Sequence, residues 1–307
     1  MKKTRIVVVG VGAVGSTTAY TLLLRNRMDE LVLIDANHDK ALGDALDMNH
    51  GMPFVGKTKV WAGTYADCSG ADIIIITAGA AQKPGESRID LLKRNLKITD
   101  SILNDISKYT TDAILLFAIN PVDVMSYYAW KKLRSKWAGN KIIGSGTLLD
   151  SARFKYLISE KLNVDARSVH AKIIGEHGDS ELPVWSLANL AGTKLPLTEE
   201  EKEEVFVNTR DAAYQIIQAK GATFYAIALA LDRIVTAITE DEGAVLNVST
   251  LLENYHGVSD VYLGVPCIVD RNGIRQVMDI QLDEQETALL QASAEKIKDI
   301  LKNSETI

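Results

Sequence analysis

A histidine that could exchange a proton lies between two glycines in the motif GEHGDS, at residues 175–180. His177 follows an apolar, β-like run over residues 169–174, so we expect it just after a strand. An unperturbed imidazole has a pKa of about 6.5, which makes histidine the natural acid or base near neutral pH. The flanking glycines allow a sharp turn and the close approach of a ligand. Because a histidine beside a glycine is more often a loop or core residue, the motif needs support from elsewhere in the chain.

Three other charged residues supply that support. Asp150 and Arg153 are three residues apart in a helical pattern, so both lie on one face of a predicted helix. In isolation they could be a solvated surface pair. Arg88 ends a loop over residues 79–88, whose proline and glycine suit a segment that opens and closes. Together with the histidine, these residues form a set that could move a proton.

The motif GVGAVG at residues 10–15 fits the G-x-G-x-x-G fingerprint of a dinucleotide-binding turn. It follows a predicted strand, opens a predicted helix, and is followed by a second strand that ends in Asp35, 20 residues after Gly15. Gly10 permits the tight turn, Gly12 lets the backbone approach a pyrophosphate, and Gly15 lets helix and strand pack closely. The helix N-terminus offers amides and partial positive charge to the phosphates.

Asp35 predicts which dinucleotide binds. Its carboxylate would accept hydrogen bonds from the adenosine ribose hydroxyls and would repel a 2′-phosphate, so we expect NAD rather than NADP. Val14 inside the motif, and Gly79 and Asn120 after later strands, complete the predicted cofactor contacts. The fingerprint alone also fits flavoproteins and sensors, so the second half of the chain has to decide the chemistry.

The elements of the first half alternate between short buried strands and helices, which is the order of βαβ units in a parallel sheet covered on both faces. This pattern predicts an N-terminal Rossmann domain, a doubly wound parallel sheet of the α/β class. The predicted strands are residues 4–9, 31–34, 60–61, 71–77, 113–119 and 141–144, and the predicted helices are residues 13–26, 38–49 and 89–109.

The pattern changes after about residue 145. We therefore predict two domains with a tight interface, a dinucleotide-binding domain over residues 1–145 and a mixed α+β substrate domain over residues 146–307. The predicted strands of the second half are residues 169–174, 261–265, 267–270 and 274–280; the predicted helices are residues 150–162, 198–239 with a break at Lys220-Gly221, and 283–302.

Composition excludes several classes of protein. The chain of 307 residues has a formal net charge of −6 and no basic stripe, which argues against a nucleic-acid partner. No stretch reaches the roughly 18 apolar residues of a membrane span, and the apolar run after the N-terminal lysines is too short for a signal peptide. Cys68 and Cys267 have no metal-binding spacing, so we predict idle thiols, no metal, and a cytoplasmic protein without a targeting segment.

Five motifs, in this order along the chain, resemble the L-lactate/malate dehydrogenase family, and within it the bacterial L-lactate dehydrogenases. The similarity extends over nearly the whole chain, through the fragments KGATFYAIA and GVPCIVDRNGI. The five motifs are VGVGAVGS at the start, AGAAQKPGESR in the loop, NPVD at residues 120–123, GSGTLLDSARF and GEHGDSELPVWS.

The resemblance implies a role for each catalytic position. His177 would be the acid that gives a proton to a ketone oxygen while NADH delivers hydride to the carbon, and the base in the reverse direction. Asp150 would orient the ring of His177 and favour its charged form. Arg153 would bind the substrate carboxylate through a two-point fork that lysine cannot reproduce. Arg88 would close with the lid and stabilise the charge that develops on oxygen, which is worth about 10²–10³ in rate.

Three further positions are implied at the substrate. Asn120 would lie near the nicotinamide and the ketone, with its bond to Pro121 in the cis form, and Thr223 would lie beside the substrate. Gln82 would face the variable end of the 2-oxo acid, where an arginine would favour the second carboxylate of oxaloacetate. Because a neutral glutamine would leave that carboxylate unpaired in a closed pocket, the resemblance implies pyruvate and L-lactate, as in the last step of fermentative glycolysis.

The resemblance also raises the question of an allosteric effector. Bacterial members often bind fructose 1,6-bisphosphate between subunits, through an arginine and a histidine. His170 matches the histidine, whereas Lys155 replaces the arginine and would pair with phosphate as a point charge. Activation by this sugar phosphate is therefore an open hypothesis. Family members are usually homotetramers.

Two alternatives remain open at this point. One is a related enzyme, a malate or branched 2-hydroxy acid dehydrogenase, against which Gln82 is the main argument. The other is a sensor or structural protein that binds NAD without turnover. The presence of His177, Asp150, Arg153 and Arg88 argues against this second alternative.

Overall fold

The computed structural model describes residues 3–80 and 88–304, and for Arg88 the backbone alone. Six parallel strands form the N-terminal half of a single large sheet. They are short and rich in branched apolar residues because helices cover both of their faces. Their bounds are β1 (Arg5–Val9), β2 (Glu30–Ile34), β3 (Lys59–Ala62), β4 (Ile73–Ile76), β5 (Ile114–Phe117) and β6 (Ile142–Gly144).

Four helices connect these strands and a fifth follows them. The order of the parallel strands is β6-β5-β4-β1-β2-β3, so the chain reverses direction across the sheet between β1 and β4. In such sheets the ligand lies outside the carboxyl ends of the strands, at this reversal. The helices are α1 (Ala13–Arg25), α2 (His38–Gly51), α3 (Arg88–Ile106), α4 (Val122–Leu133) and α5 (Leu148–Leu162).

The middle of the chain forms two small antiparallel sheets. The first has the order β11-β10-β7 and the second pairs β8 with β9. The apolar run at residues 169–174, predicted as one strand, is thus divided between two sheets. The strands are β7 (Val169–His170), β8 (Ile173–Ile174), β9 (Leu182–Pro183), β10 (Asn189–Leu190) and β11 (Thr193–Lys194).

Three antiparallel strands then extend the large sheet to nine strands, in the order β14-β13-β12-β6-β5-β4-β1-β2-β3. Ser249 of β12 pairs with Gly144 of β6, so one sheet continues across the predicted domain boundary. The division into residues 1–145 and 146–307 stays a prediction. The remaining elements are α6 (Glu199–Lys220), α7 (Tyr225–Thr239), β12 (Ala244–Leu252), β13 (Val261–Asp270), β14 (Gly273–Val277) and α8 (Glu284–Asn303).

The predicted α/β fold, with a Rossmann parallel sheet followed by a mixed α+β half, is confirmed. Helix α4 and strand β12 were not predicted. Strand β13 was predicted as two strands separated by Pro266. The carbonyl of this proline accepts the Met278 amide at 2.8 Å, so the pairing continues through it.

Candidate active site

The loop that carries His177 begins at a glycine with an unusual backbone conformation. Gly175 has a φ of +93°, and a Cβ at this position would lie 2.9 Å from side-chain atoms of Leu182 and Ser293. The Gly175 amide and carbonyl exchange hydrogen bonds with Gly264 of β13 at 2.9 and 2.8 Å. A turn of this kind requires glycine. It carries the chain from β8 into the loop and fixes the direction in which His177 leaves the sheet.

Asp150 connects the other two residues of the predicted set. The Nδ1 atom of His177 lies 2.5 Å from Asp150 Oδ2, and Arg153 donates from Nη1 to Asp150 Oδ1 at 2.8 Å. Asp150 is buried, whereas 23% of the His177 side chain is exposed. The bond to Asp150 places the Nδ1 proton between the two groups and leaves Nε2 as the ring atom for a substrate. The structure therefore brings together His177, Asp150 and Arg153, three of the seven residues predicted to act in catalysis or substrate binding.

The charges of this cluster favour a protonated imidazole. Burial alone would lower the pKa of His177, but the nearby carboxylate of Asp150 outweighs that effect and raises the pKa to about 9. Burial disfavours the charged form of Asp150, yet His177 and Arg153 together lower the pKa of that carboxyl. An ion pair of this kind provides a proton donor at neutral pH.

A second carboxylate holds the main chain of the same histidine. Asp123, at the start of α4, accepts the His177 amide at Oδ2 over 2.8 Å and the Ser249 hydroxyl at Oδ1 over 2.5 Å. Burial raises the pKa of Asp123 to about 6, although both hydrogen bonds act against this. Asp123 belongs to the NPVD motif, but its role could not be predicted from the sequence, because its partners lie 54 and 126 residues away.

A buried polar cluster fixes α5 against β8 and so sets the position of Asp150. The Ser151 hydroxyl accepts the Ile173 amide at 3.0 Å and lies 3.2 Å from the Ile173 carbonyl. Asn247 of β12 donates to both Ser151 Oγ and the Ile173 carbonyl, at 2.7 and 3.2 Å. The Thr147 hydroxyl donates to the same carbonyl at 2.7 Å. None of these positioning residues was predicted, because the cluster forms only when three separate elements pack.

The glycines of the predicted cofactor turn differ in what surrounds them. A Cβ at Gly15 would lie 1.8 Å from the Gly10 carbonyl oxygen, and a Cβ at Gly10 would lie 2.5 Å from the Ala78 backbone. Both positions therefore exclude a side chain. At Gly12 no described atom lies within 4 Å of such a Cβ, so this side of the turn faces open space at the N-terminus of α1. That space and the uncapped helix end, with Val14 in the first turn, fit a pyrophosphate.

Asp35 follows β2 at the same edge of the sheet. Its two carboxylate oxygens accept the backbone amides of Val11 and Asn37 at 2.7 and 2.9 Å. The negative charge is thus fixed beside the glycine turn, and the remaining lone pairs fit the hydroxyls of a ribose. The arrangement of Gly10, Gly12, Gly15 and Asp35 fits the NAD that the sequence predicts.

Asn95, which was not predicted from the sequence, joins the ends of two strands beside this crevice. This buried residue of α3 accepts the Ala80 amide at 2.8 Å and donates to the Asn120 carbonyl at 3.2 Å. Gly79 therefore lies next to a residue tied to Asn120. The peptide bond between Asn120 and Pro121 is cis, as the resemblance implied.

Three predicted substrate contacts have a different status. Gln82 lies outside the described residues, and so does the side chain of Arg88. Thr223 lies in the link between α6 and α7, at an intermediate level of exposure. Their roles stay predictions.

The two residues predicted to bind an effector line one cavity. Lys155, His170, Lys172 and Arg233 surround a space of about 440 Å³ between α5, the β7–β8 region and β12. Burial lowers the pKa of Lys155, and burial together with the charge of Lys155 lowers the pKa of Lys172. Two lysines whose charged forms are destabilised in this way would gain from an anion placed between them.

The comparison with known proteins places the chain in a family. Residues 4–144 match the NAD binding domain of lactate/malate dehydrogenase, and residues 147–307 match the alpha/beta C-terminal domain of lactate/malate dehydrogenase. The chain is 50% identical to the L-lactate dehydrogenase of Acetivibrio thermocellus, with 97% of this chain and 96% of that protein covered. It is 49% identical to L-lactate dehydrogenase 1 of Staphylococcus aureus, with 100% and 98% covered.

Solved structures agree with this result. A lactate dehydrogenase from a deep-sea metagenome of the Medee basin is 41% identical, with a TM-score of 0.95 and 99% of each chain covered. The minor L-lactate dehydrogenase of Enterococcus mundtii is 40% identical, with a TM-score of 0.95 and 98% of each chain covered. The chain therefore belongs to the lactate/malate dehydrogenase family.

Membership defines the class of enzyme more closely. The N-terminal half is the NAD-binding domain of the family, and the protein is an NAD-dependent oxidoreductase. The predictions of the family and of NAD as cofactor are confirmed. Within the described ranges, no helix combines the length and apolar character that a membrane crossing requires.

Proposed function

We propose that the protein is an L-lactate dehydrogenase, which reduces pyruvate to L-lactate and catalyses the reverse reaction. The observation that carries the proposal is the buried contact between Asp150 and both His177 and Arg153. An imidazole and a guanidinium on either side of one carboxylate support a proton donor next to a group that binds a carboxylate. A 2-oxo acid presents the complementary pair, a ketone oxygen and an adjacent carboxylate.

His177 performs the proton transfer in this proposal. With Nδ1 bonded to Asp150, Nε2 of the imidazolium is the donor to the ketone oxygen, and the same atom takes the hydroxyl proton in the reverse direction. The raised pKa keeps His177 protonated at neutral pH, which suits pyruvate reduction. NADH, when bound at the glycine turn, supplies the hydride.

Arg153 binds the substrate carboxylate in this proposal. One edge of its guanidinium is already engaged by Asp150, which fixes the orientation of the remaining donors. The side chain is 12% exposed, so its hydrogen bonds to a carboxylate form in a partly desolvated space. Lysine would lack both the planar fork and the simultaneous bond to Asp150.

The remaining roles rest on the resemblance of motifs. Arg88 would stabilise the charge that develops on oxygen, and Asn120 and Thr223 would border the substrate. Gln82 would select pyruvate over oxaloacetate, because it offers no charge to a second carboxylate. The loop from Gly79 to Arg88 would close over the site and exclude water.

Initial rates of NADH oxidation test this proposal. Pyruvate, oxaloacetate and 2-oxoisocaproate are compared at equal concentrations, first with the natural chain and then with Gln82→Arg. We expect a large preference for pyruvate that Gln82→Arg shifts towards oxaloacetate. A preference of the natural chain for oxaloacetate would make the enzyme a malate dehydrogenase, and no turnover with any substrate would support the non-catalytic NAD-binding alternative.

We further propose that fructose 1,6-bisphosphate binds the cavity lined by Lys155 and His170. The four basic residues of that cavity support an anionic effector. The test is activity at low pyruvate with and without the sugar phosphate, in the natural chain and in Lys155→Ala. Activation that is lost in Lys155→Ala is the expected result, and a flat response in the natural chain would rule out this effector.

Assembly and location also remain proposals. The homotetramer is proposed because family members are usually tetrameric, and sedimentation of the purified enzyme tests it. A cytoplasmic location follows from the proposed glycolytic role and is tested by cell fractionation.

A further inference from the structure

Glu181 is a buried acid in the centre of the candidate active site. Its side chain is almost fully enclosed, with 6% of the residue exposed. Asp150, His177 and Glu181 each place one carboxylate oxygen or ring nitrogen so that the three atoms lie within 4.8 Å of one another. The Oε1 atom of Glu181 is buried and has no hydrogen-bond partner among the described residues. An ionised carboxylate in this position would leave this buried oxygen without a hydrogen-bond donor.

Glu176, on the same loop, is a buried glutamate whose carboxylate contacts hydrogen-bond donors and a cation. It is 8% exposed, nearly the same as Glu181. Its Oε2 atom accepts hydrogen bonds from the Ser180 amide and hydroxyl, and Lys296 Nζ lies 3.0 Å away. Glu176 and Glu181 are thus similarly buried, but the Glu176 carboxylate has hydrogen-bond donors and a cation in contact, whereas Glu181 Oε1 has no partner among the described residues.

The charged groups that face Glu181 come from three elements. Asp150 on α5 opposes its ionisation, while His177 on the loop, Arg153 on α5 and Arg210 on α6 favour it. Burial is the largest effect, and together with Asp150 it raises the pKa of Glu181 to about 9. The cations are already engaged, since His177 and Arg153 both bind Asp150 and Arg210 binds Asp211 at 3.0 Å.

We propose that Glu181 is a neutral carboxylic acid at neutral pH and that in this protonated form it is a positioning residue of the active site. The inference deepens the proposed function and rests on it. An ionised Glu181 would repel the substrate carboxylate from Arg153. It would also hold the proton of His177 too firmly for transfer to the ketone oxygen. Neutral Glu181 fills the space beside both residues and leaves their positive charge available to the substrate.

The proximity of the two groups makes their titrations interdependent. Loss of the Glu181 proton would stabilise the imidazolium of His177, and loss of the His177 proton would disfavour ionised Glu181. The pair therefore holds two protons at neutral pH and releases them in separate steps as the pH rises.

Infrared spectroscopy of the enzyme without substrate tests the protonation directly. The difference spectrum between the natural chain and Glu181→Gln at pH 7 should contain the carbonyl stretch of a protonated carboxyl, shifted in D₂O. Glu176→Gln is the matched control and should remove carboxylate bands only. Carboxylate bands in place of the carbonyl stretch in the Glu181→Gln spectrum would overturn the proposal. If Glu181→Gln does not fold, the natural chain alone decides, because its carbonyl stretch should disappear above about pH 9.

The basic limb of the pH profile for pyruvate kcat/KM is the second readout. A neutral glutamine replacing a neutral acid should leave the apparent pKa of His177 within about half a unit. Removing an ionised carboxylate would instead lower that pKa by roughly one to two units, which is the opposing result. The infrared result stands even if the enzyme reduces no 2-oxo acid, so a failure of the proposed function is distinguishable from a failure of this inference.

Discussion

The carboxylate of Asp123 accepts the backbone amide of His177 at 2.8 Å, so the histidine is held through its main chain as well as through its ring. Asp150 binds the ring from α5, and Asp123 binds the amide from α4. The Ser249 hydroxyl donates to the second oxygen of Asp123 at 2.5 Å. Two carboxylates from different helices thus determine where the imidazole lies. We therefore expect proton transfer by His177 to depend on both of them.

Ser249→Ala should move the acid limb of the kcat profile to higher pH. The hydroxyl stabilises the ionised form of Asp123, whose pKa burial has already raised to about 6. Without this donor the pKa of Asp123 should rise by up to about one unit, since one hydrogen bond to a charged group contributes about 1.5 kcal/mol. Protonated Asp123 accepts the His177 amide less strongly, so activity is lost at a higher pH. The measurement is kcat between roughly pH 5 and pH 8, a range that includes the pKa of Asp123.

Ser126→Ala is the control for this prediction. Its hydroxyl is equally buried but has no hydrogen-bond partner among the described residues. An acid limb that does not move in Ser249→Ala would mean that the ionisation of Asp123 does not govern turnover.

Asp150→Asn should lower the pKa of His177 from its value of about 9. The amide keeps the shape of the side chain but removes the negative charge that stabilises the imidazolium. Pyruvate reduction needs protonated His177, so its basic limb should move to lower pH and its rate at neutral pH should fall by about 10² or more. Lactate oxidation needs neutral His177 and should be impaired less by the change in pKa.

The pH profiles of kcat/KM in both directions measure this effect. Asp165→Asn is the control, because Asp165 forms an exposed ion pair with Arg167 and is not among the charged groups that raise the pKa of His177. An unchanged basic limb in Asp150→Asn would contradict the assignment of Asp150 as the group that charges the imidazole.

The sequence was most informative where function depends on local spacing. The glycine turn at residues 10–15, the pair Asp150 and Arg153, and the His177 loop are each contiguous motifs, and all lie where the sequence analysis placed them. All six parallel strands were predicted, because burial on both faces produces continuous apolar runs such as residues 73–76.

The contacts that support these motifs could not be predicted in the same way. Ser249 meets Asp123 across 126 residues, and Asn247 meets Ser151 across 96. Such pairs exist only after β12 has joined the sheet beside β6, and β12 itself was missed. Glu181 could have been noticed as an acid four residues after the histidine, but its burial is visible only in the structure.

Gly12→Ala should weaken NADH binding without disturbing the fold. A Cβ at this position meets no described atom within 4 Å, and the φ of −68° is acceptable for alanine. The added methyl group would instead occupy the space where the pyrophosphate approaches the backbone, so the Kd for NADH should rise about tenfold or more. Titration of NADH fluorescence measures the Kd, and thermal unfolding measures the fold.

Gly43→Ala is the matched control for that substitution. Gly43 lies in α2 and also has no described atom within 4 Å of a new Cβ. Alanine there should stabilise the helix by about 1 kcal/mol and leave the Kd for NADH unchanged. Equal Kd values for Gly12→Ala and the natural chain would place the pyrophosphate elsewhere.

Asn95→Leu should lower the efficiency of pyruvate reduction through the backbone of Asn120. Leucine has a similar size but removes the bonds to the Ala80 amide and the Asn120 carbonyl, which hold two strand ends together beside the cofactor crevice. Loss of one such bond costs about 1 kcal/mol, so kcat/KM for pyruvate should fall roughly 30-fold when both are lost. Asn95→Asp can still accept the Ala80 amide, but its carboxylate would face the Asn120 carbonyl without a proton to donate. If the position of Asn120 is what matters, Asn95→Asp should therefore be impaired nearly as much as Asn95→Leu.

Asn104→Ala, which removes an exposed amide from the same helix, is the control. Wild-type kcat/KM in Asn95→Leu would show that the two strand ends hold their geometry without this side chain.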